Sequence, residues 1–179
     1  MFGDRLVGLK QSVDSAKKTI PAALALCARS DEVIVADGTY GAFTVPVEDV
    51  TVRSVNGPER TVIDAGGKRR CVDFSTPDGG EIVAALEGFT LCNGQTAYVG
   101  GGAYGGILKR CIVRDNVAGT AGGGLYGCRA ENTIIVRNSS ETFGGGAAYS
   151  TLVNCSVAGN RTNGEEGGGL YYGHAVNTV

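Results

Sequence analysis

A glycine triplet that returns about every 22 residues most restricts what this chain can fold into. Gly100-Gly101-Gly102-Ala103-Tyr104 recurs as Gly122-Gly123-Gly124-Leu125-Tyr126, as Gly144-Gly145-Gly146-Ala147 and as Gly167-Gly168-Gly169-Leu170-Tyr171, at spacings of 22, 22 and 23. Other positions repeat with it. Ten residues after each first glycine stand Arg110, Asn132, Asn154 and Asn177; one residue further stand Cys111, Thr133, Cys155 and Thr178. Sixteen after the first glycine come Asn116, Asn138 and Asn160, and a looser copy, Phe89-Thr90-Leu91-Cys92-Asn93, precedes the series. A unit this short cannot bury a core alone, so successive units must stack. It is too short for a pair of helices, and the leucine pattern of a leucine-rich repeat is missing.

Within each unit, β-branched runs such as Cys111-Ile112-Val113 and Thr133-Ile134-Ile135-Val136 lie between Gly, Asn and Ser clusters. That pattern predicts several short strands per coil joined by turns. Parallel coils stack at about 4.8 Å, so each repeated position becomes a column of like side chains. The expected fold is all-β: a single-stranded right-handed parallel β-helix of about 22 residues per coil. Two asparagine columns, Asn116, Asn138, Asn160 and Asn132, Asn154, Asn177, read as structural ladders. Asparagine tolerates left-handed turns, and its amide can bond to the amide of the next coil. The glycines permit positive φ or close backbone approach. The Cys/Thr column and the column Val113, Ile135, Val157 read as inward-facing.

The organisation expected is one domain, with an N-terminal strand and capping helix in residues 1–30 and the β-helix over 31–179. Thr19 to Ala28 reads as a short apolar helix with proline in its first turn. A helix over the first coil would cover the exposed end of the solenoid. Val33-Ile34-Val35-Ala36, Phe43-Thr44-Val45, Val50-Thr51-Val52-Arg53 and Thr61-Val62-Ile63-Asp64 follow as strands ended by turn residues. The last coil opens at Gly167 and runs to Val179 with no cap in view, as in an uncapped or truncated stack. Self-association through Gly167–Val179 is therefore expected, most simply as a closed dimer.

At these residues the chain resembles the pectate-lyase-like superfamily of right-handed parallel β-helices. The stretches that carry the likeness are Ile20 to Leu26 before Val33-Ile34-Val35-Ala36-Asp37-Gly38-Thr39-Tyr40, then Gly57 to Asp64, Leu86 to Gly94 and the Gly-Gly-Gly-Leu-Tyr coils. They run through nearly the whole chain from about Thr19. The repeats are most similar to those of bacterial surface and secreted proteins, including polymorphic outer-membrane proteins. The resemblance implies an extracellular or cell-surface location, and the signal that such export needs is not present in this chain. It implies the fold more than an activity, because one coil design serves lyases, hydrolases, adhesins and phage tailspikes.

Charge narrows the partners. There are 16 basic and 18 acidic residues, net −2, so no basic footprint for nucleic acid exists. No run of 18 apolar residues occurs, and the start, Met1 to Arg5, lacks the pattern of a signal peptide. Lyases of this fold use clustered Asp residues for Ca²⁺, and hydrolases need carboxyls that flank one glycosidic bond. In the aligned coils Asp115 falls beside Arg137 and Lys109 beside Glu131, as surface ion pairs between neighbouring coils. Asp64 and Asp73 fall in the irregular early coils and do not align into a site. No catalytic residue, metal ligand or cofactor site is expected. His174, the one histidine, reads as a surface residue. Asn138, Asn154 and Asn160 head Asn-X-Ser/Thr triplets, and their column positions favour the ladder reading. Tyr104, Tyr126 and Tyr171 share a column broken at Ala148, with Tyr149 beside it. If Leu125 and Leu170 face inward, these four tyrosines face outward as a stripe that could meet a glycan. The leading expectation is a non-catalytic module, a spacer or an adhesive, glycan-binding surface. The alternatives are a polysaccharide lyase or glycoside hydrolase, or its remnant, and an end-to-end assembly module.

The six cysteines complete the reading. Cys111 and Cys155 share a column two coils apart, about 9.6 Å at twice the strand spacing, beyond the 7 Å or so that a disulfide spans. Cys128 belongs to another column. Free, largely buried thiols are therefore expected.

Overall fold

Each regular coil turns at four corners, and a left-handed residue stands at every one of them. The first corner holds Gly88, Arg110, Asn132, Asn154 and Asn177; the second holds Asn93, Asp115, Arg137 and Gly159. The third holds Gly100, Gly122, Gly144 and Gly167, and the fourth Gly105, Gly127, Tyr149 and Tyr172, all with φ between 43° and 77°. Along the chain the corners are spaced by five, seven, five and five residues, which is the 22-residue repeat. The single spacing of 23 arises because Gly159 to Gly167 takes eight residues where the other coils take seven. A non-glycine residue in this region costs about 1–2 kcal/mol, which is why Gly, Asn and Asp dominate the corners.

The computed structural model describes residues 7–9, 17–76, 79–164 and 166–179. Met1 to Arg5 lie outside the described residues. Between the corners run four sheets. Sheet I has eight strands: Val7–Leu9, Glu32–Val35, Thr51–Ser54, Ala85–Glu87, Ile107–Lys109, Arg129–Glu131, Thr151–Val153 and His174–Val176. Sheet II has six: Gly38–Tyr40, Thr61–Asp64, Thr90–Cys92, Ile112–Arg114, Ile134–Val136 and Ser156–Ala158. Sheet III has four: Gln95–Thr96, Val117–Ala118, Ser139–Ser140 and Arg161–Thr162. Sheet IV has six: Phe43–Thr44, Val72–Asp73, Ala103–Tyr104, Leu125–Tyr126, Ala147–Ala148 and Leu170–Tyr171. All pairs are parallel except Val7–Leu9, which runs antiparallel to Glu32–Val35. The result is the expected right-handed parallel β-helix of about six coils, with one short helix at its N-terminal end.

That helix, α1 (Ile20–Leu24), is capped by Thr19, whose Oγ1 accepts the Ala22 N–H at 3.2 Å, with Pro21 in its first turn. Ile20, Ala23 and Leu24 are buried against the first coil. Inside the solenoid, one column per sheet supplies the core. Val33, Val52, Leu86, Leu108, Ala130 and Leu152 line sheet I, and Ile63, Leu91, Val113 and Ile135 line sheet II. Phe43, Val72, Ala103, Leu125 and Ala147 line sheet IV. Each buried Val, Leu, Ile or Phe contributes about 1.5–3 kcal/mol.

The two asparagine columns differ in kind. Asn116 and Asn138 are buried, and Asn160 is half-buried. Each donates Nδ2–H to a carbonyl of the coil before it: Leu91 O at 3.1 Å, Val113 O at 2.9 Å and Ile135 O at 2.8 Å. Asn138 Oδ1 accepts from Asn116 N–H at 3.1 Å and from Asn116 Nδ2 at 2.9 Å; Asn160 Oδ1 does the same for Asn138. This is a continuous amide ladder inside the solenoid. Asn132, Asn154 and Asn177 are instead exposed corner residues, joined in one place, where Asn177 Nδ2 donates to Asn154 Oδ1 at 3.3 Å. Their column exists for φ, not for amide bonding.

The Cys/Thr alternation also has a cause. Thr133 Oγ1 accepts the Cys111 N–H at 3.3 Å, Thr178 Oγ1 the Cys155 N–H at 3.4 Å, and Ser150 Oγ the Cys128 N–H at 3.1 Å. A hydroxyl in one coil satisfies a backbone donor just past a corner of the coil before it. All six cysteines are free; Cys27 is half-buried and the others are buried. Burial pushes the Cys111 thiol up to about 11 and that of Cys128 to about 12, and it raises Cys71 further still.

Two measurements follow. A thiol-reactive dye added in denaturant without reductant should count six free thiols; in the native protein Cys27 should react first and the rest slowly, being both buried and protonated. Replacing Asn138 by Leu strands the Asn116 N–H and the Val113 carbonyl inside the solenoid, and should cost about 2–6 kcal/mol at about 1–3 kcal/mol per orphaned group. Asn132→Gly, which keeps the corner conformation, should move the unfolding midpoint little.

Candidate functional site

The tyrosine stripe forms as the register requires. Tyr104, Tyr126, Ala148 and Tyr171 pair in turn along sheet IV, and Leu125 is buried behind them. Tyr149, at the next corner, fills the place that Ala148 leaves. The rings pack on one another: Tyr104 on Tyr126 at 5.7 Å and 7°, Tyr126 on Tyr149 at 5.3 Å, and Tyr149 on Tyr172 at 5.7 Å. Phe143 stacks on Tyr171 at 4.4 Å. Tyr104 also meets a cation, with the Arg70 guanidinium carbon 4.8 Å from its ring centre. Tyr104 and Tyr126 thus spend ring surface on their neighbours, and only Tyr149 and Tyr172 are exposed.

The sequence repeat gave no sign of a second feature, a groove where the repeat breaks. Between sheets II and IV the chain travels different lengths in successive coils. Tyr40 and Phe43 are three positions apart, Ile63 and Val72 nine, and Leu91 and Ala103 twelve, a length kept by Val113 and Leu125. The side of nine has no room for a strand of sheet III. It crosses instead as the turn Gly66–Arg70, with φ of 61° and 69° at Gly66 and Gly67. Sheet III therefore begins one coil later, at Gln95–Thr96. At this step lies a cavity of about 580 Å³, lined by Lys68, Arg69, Arg70 and Asp73 of the turn and its strand and by Gln95, Tyr98, Val117 and Glu141 of the following coils. A neighbouring depression of about 440 Å³ shares Gly67, Gln95 and Val117 with it and adds Asp64, Asn93 and Asp115.

Tyr98 is the outstanding residue here. It is 74% exposed, and its ring stacks on no other aromatic among the described residues. It occupies a position held by Thr120 and Thr142 in the next coils, so no column announces it. Among the described residues the Arg69 side chain makes one hydrogen bond, a donation to Thr44 Oγ1 at 3.4 Å, and neither it nor Lys68 has a carboxylate partner within 4 Å.

Of the carboxylates around the groove, Asp64, Asp73 and Asp115 are engaged, whereas Glu141 makes no ion pair or side-chain hydrogen bond among the described residues. Asp64 Oδ1 accepts from Gly66 N–H at 2.8 Å and from Asn93 Nδ2 at 3.0 Å. Asp73, at the head of the tyrosine column, accepts from Ser75 N–H and Oγ on one oxygen and from Arg70 on the other. Asp115 is held by Arg137 at 2.8 and 3.1 Å, as the repeat predicts, and also by Arg114 at 2.6 Å. These contacts, Arg137 foremost, hold its carboxyl below the usual range. The expected pair of Lys109 with Glu131 is replaced: the two are in register, but Glu131 takes Arg129 at 2.6 Å, two residues away on its own strand, which the fork of an arginine reaches more readily. His174 is exposed on the last strand of sheet I. Among the described residues no three of His, Cys, Asp and Glu converge as metal ligands.

No protein-family model matches the chain, and no curated protein does. Solved structures do. Pectin methylesterase PemA from Erwinia chrysanthemi superposes with a TM-score of 0.51 at 13% identity, over 85% of this chain and 54% of that one. A pectin methylesterase variant in complex with hexasaccharide IV gives 0.51 at 16%, over 93% and 59%. ORF18 of Geobacillus virus E2 gives 0.53 at 11%, over 92% and 37%. The chain thus spans little more than half the length of the esterases it matches. At these identities the likeness carries the fold, the pectate-lyase-like parallel β-helix.

The ion pairs at Asp115 predict a pH dependence. A carboxyl whose folded pKa lies below its unfolded value stabilises the fold above about pH 4, the ordinary carboxylate pKa, and loses that contribution as pH falls toward the folded value. Arg137 is exposed and Asp115 only half-buried, so the effect is small. Unfolding midpoints taken from pH 6 down to 2 should fall less steeply for Arg137→Gln than for the unaltered protein.

Proposed function

We propose that this chain is a non-catalytic β-helix module of a surface or secreted protein, and that its groove binds an anionic polysaccharide. The observation that carries this reading is that the ring of Tyr98 and the side chains of Lys68 and Arg69, which have no aromatic or carboxylate partner among the described residues, line one cavity at the step in the solenoid. An exposed phenol ring offers an apolar face to a pyranose and a hydroxyl to its polar edge. Unpaired cations beside it select for carboxylated or sulfated sugars. The tyrosine stripe is a weaker candidate, because its rings cover one another. A neighbour in complex with a hexasaccharide, a pectin methylesterase, adds plausibility to a sugar ligand. Assignment to the polymorphic outer-membrane type, and to the cell surface, rests on the repeat motifs alone.

Against the enzymatic alternative stand the three aspartates at the groove. General acid or base work needs a carboxyl free to exchange a proton, with a pKa drawn toward neutrality. Asp64, Asp73 and Asp115 are each tied by hydrogen bonds, and Asp115 is shifted the wrong way.

Calorimetric titration with polygalacturonate, and with dextran as the neutral control, tests the proposal. Binding should be confined to the anionic polymer. Tyr98→Ala should weaken it about tenfold, or about 1.4 kcal/mol, in line with one lost aromatic contact; Tyr126→Ala should not. No binding by the unaltered protein sinks the reading, and release of reducing ends or unsaturated sugars would establish the enzyme instead.

A further inference from the structure

Lys68 and Arg69 stand on a turn with two successive left-handed glycines, Gly66 and Gly67. Glycine loses more conformational freedom on folding than any other residue, so such a turn is ordered only if something else holds it. Two backbone bonds close the turn on itself, Gly66 N–H to Asp64 Oδ1 at 2.8 Å and Lys68 N–H to Ala65 O at 3.3 Å, and two tie it to the next coil, Gly67 N–H to Asn93 O at 2.7 Å and Gln95 N–H to Arg69 O at 3.0 Å. A further anchor to its surroundings is a side chain. Arg70 donates from Nη1 to Asp73 Oδ2 at 2.9 Å and from Nη2 to Val99 O at 2.9 Å, and its guanidinium carbon lies over the Tyr104 ring. Asp73 is itself oriented by Ser75. The Arg70 side chain is 16% exposed, whereas the other ion-paired arginines described are 37% exposed or more.

From this geometry we infer that Arg70 is the positioning residue of the groove: it touches no ligand, and it clamps the basic turn to the first ring of the tyrosine stripe. Although it lines the cavity, its charge is already paired with Asp73 and both terminal nitrogens donate to protein, so we assign it no role as a third cation for a polyanion. It ties the turn to sheet IV through Asp73, to the long side of the next coil through Val99, and to Tyr104 by ring stacking. What it supplies is order. Lys68 and Arg69 start from a fixed backbone, and less freedom is lost when a ligand binds. The stripe then has a part in the groove without meeting the sugar: it is the wall on which the clamp rests. The consequence for binding rests on the polysaccharide reading; the clamp itself does not.

The test has a ligand-free arm and a binding arm. Trypsin cuts after Lys68 and Arg69. In folded Arg70→Gln, cleavage at these two bonds should be at least tenfold faster than in the unaltered protein. Arg70→Lys should behave like Arg70→Gln, because an ammonium cannot make the planar fork and stack at once. Tyr104→Leu, which leaves both hydrogen bonds, should give an intermediate rate, and it serves if Arg70→Gln does not fold. With polygalacturonate, Arg70→Gln should bind about tenfold more weakly with an unchanged slope of log affinity against log salt. Lys68→Gln should instead flatten that slope, by about one if a single ion contact is lost. Unchanged cleavage in Arg70→Gln, or full rescue by lysine, overturns the clamp. A flattened salt slope in Arg70→Gln makes it a ligand contact and overturns the assignment. If the unaltered protein fails to bind, the polysaccharide reading falls and the cleavage rates still decide the clamp.

Discussion

Every backbone group in a coil must find its partner in the coil above or below, and from that constraint the rest of the structure follows. An unpaired buried N–H or C=O costs about as much as a lost hydrogen bond. Residues separated by one turn must therefore stand in register on every side. That fixes the length of each side, puts left-handed residues at the corners and turns each position into a column. Asn116, Asn138 and Asn160 show how the interior meets the same demand: one amide closes a carbonyl below it and accepts two donors across the gap. The hydroxyls of Thr133, Ser150 and Thr178 do so again on a smaller scale.

Because the constraint acts on columns, a period in the sequence exposes it directly. The fold, the coil length, the inward Val113–Ile135–Val157 column and the free thiols are all legible in that way. So is the Asp115–Arg137 pair. Distinctions within a column are harder to read. Asn132 and Asn138 look alike as letters in a repeat, yet one answers a requirement on φ and the other a requirement on buried polar groups. Only their places on the cross-section separate them. Side-chain reach is also invisible: alignment sets Lys109 beside Glu131, while the chemistry of the guanidinium gives Glu131 to Arg129.

The groove was illegible for a deeper reason. It is made by a departure from the repeat, a side of nine residues under a side of twelve, and a search for periodicity averages such departures away. The residues that distinguish the site, Lys68, Arg69 and Tyr98, belong to no column. The tyrosines that do belong to one satisfy each other. In a solenoid a repeated exposed group meets its own copy about 4.8 Å away, at the strand spacing, and aromatic rings at that distance stack. A repeated feature thus tends to be consumed by the scaffold, and a unique one is left over for a ligand.

Charge obeys the same logic. Along the outer face of sheet I, Arg53, Glu87, Lys109 and Glu131 follow in register, so that successive coils alternate in sign. Arg53 is bonded to Glu32, Glu87 to Arg110 and Glu131 to Arg129. These pairs lie at the surface and each stabilises the fold little, but they offset most of the charge on the face that carries them. With a net charge of −2 the chain has no excess of cations to spend. The local excess at Lys68 and Arg69 arises where the shortened side has no neighbouring copy to pair with, whereas Glu87, Asp115 and Glu131 in the regular coils each take an arginine. The break in the repeat that opens the cavity is also what leaves its cations unpaired, so shape and charge at this site have one origin.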